Sequence, residues 1–198
     1  MEDLNLSLIS PGLHDQAREA FQSGDAVGIL ISMDNLKCLQ FVFDNVLALK
    51  ERGILETAIV HAYTIPRINL ANVSLSDLTW LFDMADRTKL LGNGNHLPEG
   101  EQFTLYRGVA GRSPFRKPSG YSWTDDQQRA VWFARRYPSL ERPAVCVTTV
   151  KRDEILFFDH GRHERDFVFR TRKYRQIPVE KFQMWIGSGL PIGLGELP

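Results

Sequence analysis

Two carboxylates near residue 165 have the spacing of a paired reactive centre. Glu164 and Asp166 flank Arg165 in the sequence GRHERDFVF. Alternate residues of a β-strand project from the same face, so a strand here would place both carboxylates together and turn Arg165 away. Differing environments can separate the pKa values of two such groups and give them separate acid and base roles. The apolar residues 167–169 favour a strand that enters the core, and a solvated charge run is the alternative.

Arg107 is a second candidate, because it interrupts the apolar alternation of FTLYRGVA. Phe103, Leu105 and Val109 alternate as in a half-buried strand. A guanidinium keeps its charge at physiological pH and can bind a phosphate or carboxylate through two parallel N–H donors. Arg107 is therefore a candidate anion ligand, and an edge-strand arginine paired with an acid is the alternative.

A third polar group lies in GYSWT, residues 120–124, directly before a predicted helix over residues 125–137. Thr124 or Asp125 is expected to cap this helix, with acidic residues at its positive end. Capping by either residue leaves Ser122 available for contact with a ligand.

The elements that must position these residues predict an α+β fold. Helices are predicted at residues 13–22, 34–53, 54–62 and 74–91. Strands are predicted at residues 103–109, 120–124, 144–150, 154–158, 166–170 and 176–179. Because helices come first and strands later, we expect a helical region over residues 1–100 and a β-rich domain over residues 101–198. The glycine- and proline-rich residues 187–198 predict a loosely attached tail.

Three helix ends have clear sequence signals. Asp34 is a plausible N-cap for the helix over residues 34–53, and Gly53 suits the position after its last turn. Ser74 or Ser76 can cap the next helix, with Asp77 in its first turn.

Charge is distributed unequally along the chain. Residues 1–100 contain 7 basic and 13 acidic residues, a net charge of −6, and residues 101–198 contain 17 and 11, a net charge of +6. An anionic ligand, such as a phosphate-bearing cofactor or a nucleic acid, is therefore expected at the second half.

Several classes of protein are disfavoured. No stretch approaches the roughly 20 apolar residues of a membrane span. Cys38 and Cys146 lie far apart in apolar settings and are expected to be buried thiols, which suits a reducing cytoplasm. The histidines have no metal-ligand spacing, and no glycine-rich phosphate loop precedes a helix.

In this order and spacing, the fragments LYRGV, YSWT, AVWFA and ERD resemble the ADP-ribosyltransferases of the Arg-Ser-Glu class. The likeness covers about residues 77–180 and is greatest to the small bacterial and phage proteins with a YRG first motif. It implies a split β-sandwich of two antiparallel sheets with NAD in the cleft between them.

The resemblance also implies roles for individual residues. Arg107, flanked by Tyr106 and Gly108, would contact the NAD phosphates or a nearby ribose. Ser122 and Thr124 would shape the nicotinamide-ribose pocket.

Trp123 occupies the middle position of the second motif. Asp166 falls where the family has its catalytic glutamate, and Glu164 falls at the position that orients the acceptor. Asp166 departs from the family because its side chain is one methylene shorter, a loss of about 1.5 Å of reach. Either the backbone lies closer to the ribose, or Glu164 is the catalytic acid, or transfer activity is lost.

The expected activity is mono-ADP-ribosylation of a macromolecular acceptor, most simply a protein side chain, with NAD as donor. The resemblance further suggests a phage or bacterial effector that inactivates a host or defence target, as an anti-CRISPR inhibitor would. The alternatives are an NAD glycohydrolase and a non-catalytic binder of protein or nucleic acid. For nucleic acid, residues 170–175 (RTRKYR) offer basic side chains around Tyr174, although an exposed strand and turn would look the same.

Overall fold

The helices of the first half and the strands of the second follow from the apolar periodicities of their sequences. The computed structural model describes most of the chain. The described residues are 4–65, 73–112, 118, 120–161, 165–171 and 173–188. The chain divides into two units, Met1–His96 and Leu97–Pro198. All described strands lie in the second unit, so the protein has the predicted α+β class.

All regular secondary structure among the described residues of the first unit is helical. Its α-helices are α1 (His14–Ser23), α2 (Ala26–Leu30), α3 (Cys38–Asp44), α4 (Val46–Arg52), α5 (Leu55–Thr64), α6 (Leu75–Met84) and α7 (Arg87–Asn93). Short 3-10 turns at Pro11–Leu13 and Asn35–Lys37 precede α1 and α3. Helix α5 is central, because α2, α3, α4 and α7 all pack against it. Seven of its ten residues are buried as a result, Glu56 among them.

The predicted caps at Ser74 and Gly53 are confirmed, whereas Asp34 caps the 3-10 turn that precedes α3 and not α3 itself. Ser74 and Asp77 form a reciprocal capping box at the start of α6. The Asp34 side chain accepts from the Leu36 amide. Gly53 ends α4 with a φ of 79°, the left-handed conformation that glycine adopts without a steric penalty.

The prediction of one helix over residues 34–53 is wrong, because Asn45 separates α3 from α4. Asn45 is buried, and its Nδ2 donates to the carbonyls of Phe41 (2.9 Å) and Asn5 (3.1 Å). The Asn5 amide donates in return to Asn45 Oδ1 at 2.6 Å. The side chain thus adds to the backbone bond from the Asn45 amide to the Phe41 carbonyl and holds the N-terminal segment. Residues 74–91 are likewise split into α6 and α7, and Asp86 caps α7 through the Lys89 amide.

The second unit contains one antiparallel sheet of six strands in the order β4-β5-β2-β1-β3-β6. The strands are β1 (Gln102–Val109), β2 (Ser122–Thr124), β3 (Ala144–Lys151), β4 (Ile155–Asp159), β5 (Asp166–Phe169) and β6 (Arg175–Pro178). Helix α8 (Gln127–Arg135) follows β2, and a 3-10 turn (Arg152–Glu154) joins β3 to β4. Helix α9 (Val179–Ser188) includes the first two residues of the predicted tail, and residues 189–198 lie outside the described residues.

Alternation along the strands produces two apolar layers, one on each face of the sheet. One layer contains Tyr106, Val145, Val147 and Ile177 beneath α8 and α9. The other layer contains Phe103, Leu105, Val109, Trp123, Cys146, Phe158, Phe167 and Phe169. Cys38 and Cys146 are both buried free thiols, as predicted.

Strand pairing is least extensive between β1 and β2. These strands share a single residue pair, Tyr106 with Thr124, whereas β1 and β3 share eight. Phe103 on β1 and Phe167 on β5 have ring centroids 5.1 Å apart. In a flat sheet, two strand spacings and about four residues would separate their Cα atoms by roughly 16 Å. The sheet must therefore bend strongly at the junction of β1 and β2.

No helix among the described residues has both the length and the apolar character needed to cross a membrane.

Gly108 allows α8 to lie against β1. A Cβ at Gly108 would stand inside the contact distance of the Ala130 carbonyl oxygen and the Ala134 amide nitrogen. Ala130 and Ala134 are themselves buried and carry the smallest side chains that a helix can present. The close approach of two backbones thus explains why glycine stands after Arg107.

Gly108→Ala should destabilise the protein by about 1–3 kcal/mol, because the new methyl group must displace α8. Urea denaturation followed by circular dichroism measures the change. Gly92→Ala in α7 is the control, since a Cβ there meets no heavy atom of the described residues within 4 Å. It should leave stability unchanged or raise it slightly through helix propensity. Equal effects of the two substitutions would contradict the packing role of Gly108.

Candidate functional site

Arg107 bridges β1 and β2 at the point where their pairing ends. Its side chain is half-buried, and Nη1 donates to the Ser122 carbonyl oxygen at 2.6 Å. If the ladder continued past Tyr106 and Thr124, Gly108 would face Ser122 and its amide would bind that carbonyl. The guanidinium takes this place, so a charged side chain holds the junction together.

Strand pairing brings the second and third motifs together. Thr124 on β2 has Tyr106 of β1 as its partner on one side and Asp166 of β5 on the other. Asp166 in turn lies opposite Asp159 of β4. Directly opposite residues of an antiparallel ladder project from the same face, so these four side chains form one cross-strand row. Arg107 follows Tyr106 on β1 and therefore projects from the other face.

Tyr106 belongs to the layer beneath α8 and α9. Its hydroxyl accepts from Gln127 Nε2 at 2.9 Å, and its ring meets Phe182 edge-on with centroids 5.7 Å apart. Burial raises the pKa of Tyr106 above its ordinary value of about 10, and the Gln127 hydrogen bond offsets part of that rise. Packing and this hydrogen bond give a structural reason for a tyrosine at position 106.

The second motif divides between the core and the surface. Trp123 is buried, with Phe169 at 5.8 Å and Tyr174 at 6.2 Å between ring centroids. Its Nε1 has no hydrogen-bond partner among the described residues. Thr124 is also buried, and its Oγ1 accepts from the Asp126 amide at 3.1 Å. Ser122 is half-buried and carries the carbonyl that Arg107 binds.

The predicted N-cap of α8, at Thr124 or Asp125, is wrong. Asp126 is the N-cap, and its side chain accepts from the Arg129 amide at 2.9 Å. Thr124 instead orients Asp126 through its hydroxyl. Asp125 is thereby free of capping and makes a longer-range contact.

That contact is a bidentate ion pair with Arg165. Arg165 Nε and Nη2 donate to the two carboxylate oxygens of Asp125 at 2.7 and 2.6 Å. The guanidinium also lies 5.7 Å from the Phe158 ring centroid. These donated hydrogen bonds raise the pKa of Arg165. The pair is partly exposed and contributes little stability, but it fixes the start of β5 beside the start of α8.

The third motif is only partly visible. Asp166 is half-buried at the first position of β5, whereas Glu164 lies outside the described residues. Asp159, at the end of β4, was not identified from the sequence and lies directly opposite Asp166. Its only sequence signal is an acid after the apolar run ILFF, and such a signal does not reveal the partner strand.

The donor set at the junction suits an anionic nucleotide better than a metal ion. No group of three or more His, Cys, Asp or Glu side chains in the described part of the chain could hold a metal. Arg107 is half-buried and bound to the Ser122 carbonyl, whereas Asp166 is half-buried two strands away, in the row that projects from the opposite face of the sheet. A guanidinium and a hydroxyl can bind phosphate and ribose oxygens, and a carboxylate can face a developing positive charge.

No family model, curated protein or solved structure matches the chain.

Tyr106→Phe should alter how stability depends on pH. An unfolded chain loses its tyrosine proton near pH 10, whereas the folded protein retains the Tyr106 proton to higher pH. Unfolding therefore releases a proton in this range, and the free energy of unfolding of the unmodified protein falls as pH rises above about 10.

At pH 7, Tyr106→Phe should cost about 1 kcal/mol through loss of the Gln127 hydrogen bond. Above pH 10 this difference should narrow, as measured by urea denaturation at pH 7 to 11. Tyr137→Phe, at a mostly exposed ring, is the matched control. It should change neither the free energy of unfolding at pH 7 nor its fall above pH 10. A constant gap between Tyr106→Phe and the unmodified protein across the range would refute the argument.

Proposed function

We propose that the protein is a mono-ADP-ribosyltransferase that takes ADP-ribose from NAD and transfers it to a macromolecular acceptor, most simply a protein side chain. The supporting observation is the meeting of three motifs that are distant in sequence. Arg107 hydrogen bonds to Ser122, and Thr124 pairs with Asp166, so LYRGV, YSWT and the third motif occupy the adjacent strands β1, β2 and β5.

The proposal includes the split β-sandwich of this class, with β4-β5-β2 and β1-β3-β6 as its two sheets. Two observations support it: the single residue pair between β1 and β2, and the contact between Phe103 and Phe167 across the bend. One apolar layer contains residues from both groups of strands, as the interior of a sandwich does.

Arg107 is proposed to bind the pyrophosphate of NAD. A guanidinium already anchored to the Ser122 carbonyl loses less side-chain freedom on binding, so it is partly preorganised. The net charge of +6 over residues 101–198 favours approach of a donor whose pyrophosphate carries two negative charges. Ser122 is proposed to contact the nicotinamide ribose from the same junction.

NAD supplies a sugar whose bond to nicotinamide breaks with the electron pair leaving on nicotinamide, while the acceptor nucleophile bonds to the sugar and loses its proton. Asp166 is proposed to stabilise the positive charge that develops on the sugar, as an ionised carboxylate does in glycoside hydrolysis. Asp159 lies beside it on β4, and Glu164 precedes it by two residues. We propose that the enzyme acts in the cytoplasm, where its two buried thiols stay reduced.

The test is incubation of the full chain with adenylate-labelled NAD and a cell extract, followed by identification of the labelled molecule. Asp166→Asn should lower the rate of labelling by about 10²-fold or more, because it removes the charge without changing the shape. Asp166→Glu keeps the charge, so its labelling rate should remain well above that of Asp166→Asn. Asp153→Asn, at an exposed carboxylate of the 3-10 turn, is the matched control and should be unaffected.

Arg107→Lys keeps a positive charge but loses the two-pronged donor, so the KM for NAD should rise about tenfold or more. Because Arg107 also binds Ser122, thermal denaturation of this variant must be measured to separate a loss of NAD binding from a loss of stability. Release of nicotinamide without a labelled acceptor would identify a hydrolase instead. A chain that neither binds nor consumes NAD would overturn the proposal. Activity lost in Glu164→Gln but retained in Asp166→Asn would reassign the catalytic acid.

A further inference from the structure

The outer face of α8 presents aromatic rings to solvent. Trp132 is 52% exposed, and Tyr137, just beyond the end of the helix, is 57% exposed. Phe133 follows Trp132 on the helix and meets its ring edge-on, with centroids 5.0 Å apart. Burying such rings would be favourable, and their exposure on a helix with an ordinary buried face indicates a binding surface.

Two guanidinium groups lie over these rings. Arg136 is 5.6 Å from the Trp132 centroid, 5.5 Å from that of Tyr137 and 6.0 Å from that of Phe133. Arg129 lies 5.9 Å from the Trp132 centroid. Cation–π contacts of this kind hold the charges beside the rings. The surface therefore presents positive charge and flat apolar area together.

The backbone beneath this surface is rigid. Gly108, Ala130 and Ala134 let α8 lie in close contact with β1, and the Asp126 cap secures its first turn. Residues 127–142 contain four arginines and one glutamate, a net charge of +3. A fixed platform with this charge is complementary to an anion.

We propose that the arginine–aromatic face of α8, formed by Arg129, Trp132, Arg136 and Tyr137, binds single-stranded nucleic acid. Phosphates would pair with the guanidinium groups, and unpaired bases would stack on the exposed rings. An acidic protein segment could pair with the arginines, but its carboxylates would leave Trp132 and Tyr137 without a flat partner. The proposal does not depend on NAD, so it stands or falls separately from the proposed function.

The test is fluorescence anisotropy of a fluorescein-labelled 12-nucleotide oligo(dT) titrated with the full chain at several salt concentrations. Binding should weaken as salt rises, and Trp132→Ala should weaken it about fivefold or more at every concentration. Arg136→Ala should reduce the slope of log affinity against log salt by about 0.7, the value for one phosphate contact on a single strand. Arg136→Lys keeps the charge and should keep the slope.

Trp80→Ala is the matched control. Trp80 is 42% exposed on α6 and packs against Phe43 in the acidic half of the chain, so its removal should leave binding unchanged. Circular dichroism checks that each variant folds. If Trp132→Ala is unfolded, Tyr137→Ala is used in its place. Absence of salt-dependent binding, or equal binding by Trp132→Ala and the unmodified protein, would overturn the proposal. Competition by polyglutamate as strong as that by unlabelled oligo(dT) would also overturn it, in favour of an acidic protein partner.

Discussion

The hydrogen bond from Arg107 to the Ser122 carbonyl is the interaction on which the second unit depends. β1 and β2 share one backbone pair, so the two groups of three strands would otherwise meet almost without hydrogen bonds. A guanidinium can span a gap that a backbone amide cannot reach, and its charge strengthens the bond. The Asp166 carboxylate lies two strands from Arg107 and projects from the opposite face of the sheet. Arg107 thus has a structural role between β1 and β2, and the proposed phosphate contact would be a second role of the same side chain.

Helix α8 connects that junction to the surface. The Thr124 hydroxyl binds the amide of Asp126, the N-cap of α8. The backbone of α8 packs closely against Gly108 of β1. The ion pair between Asp125 and Arg165 then joins the start of α8 to the start of β5. Because one helix is held at the candidate site and also presents Trp132 to solvent, a ligand on its outer face would lie on an element that is rigidly tied to the motifs.

Both proposed ligands are anions, and both use the basic half of the chain. Arginine supplies the cation in each case, but in different settings. Arg107 is half-buried beside a carbonyl, which suits a phosphate group held in one position. Arg136 lies over exposed rings, which suits a mobile strand of alternating phosphates and bases. If both proposals hold, a nucleic acid bound to the outer face of α8 becomes a candidate acceptor of ADP-ribose.

The sequence by itself determined the class of the fold, the six described strands, the caps at Ser74 and Gly53, and the burial of both thiols. These depend on periodicity and on hydrogen bonds within a few residues. The tertiary structure alone decided the break at Asn45, whose partner is Asn5, and the pairing of Asp159 with Asp166. It also decided that Arg107 binds a carbonyl 15 residues away and that Asp125 serves Arg165 rather than the helix end. These outcomes depend on which distant segments become neighbours, and local residue patterns do not encode that choice.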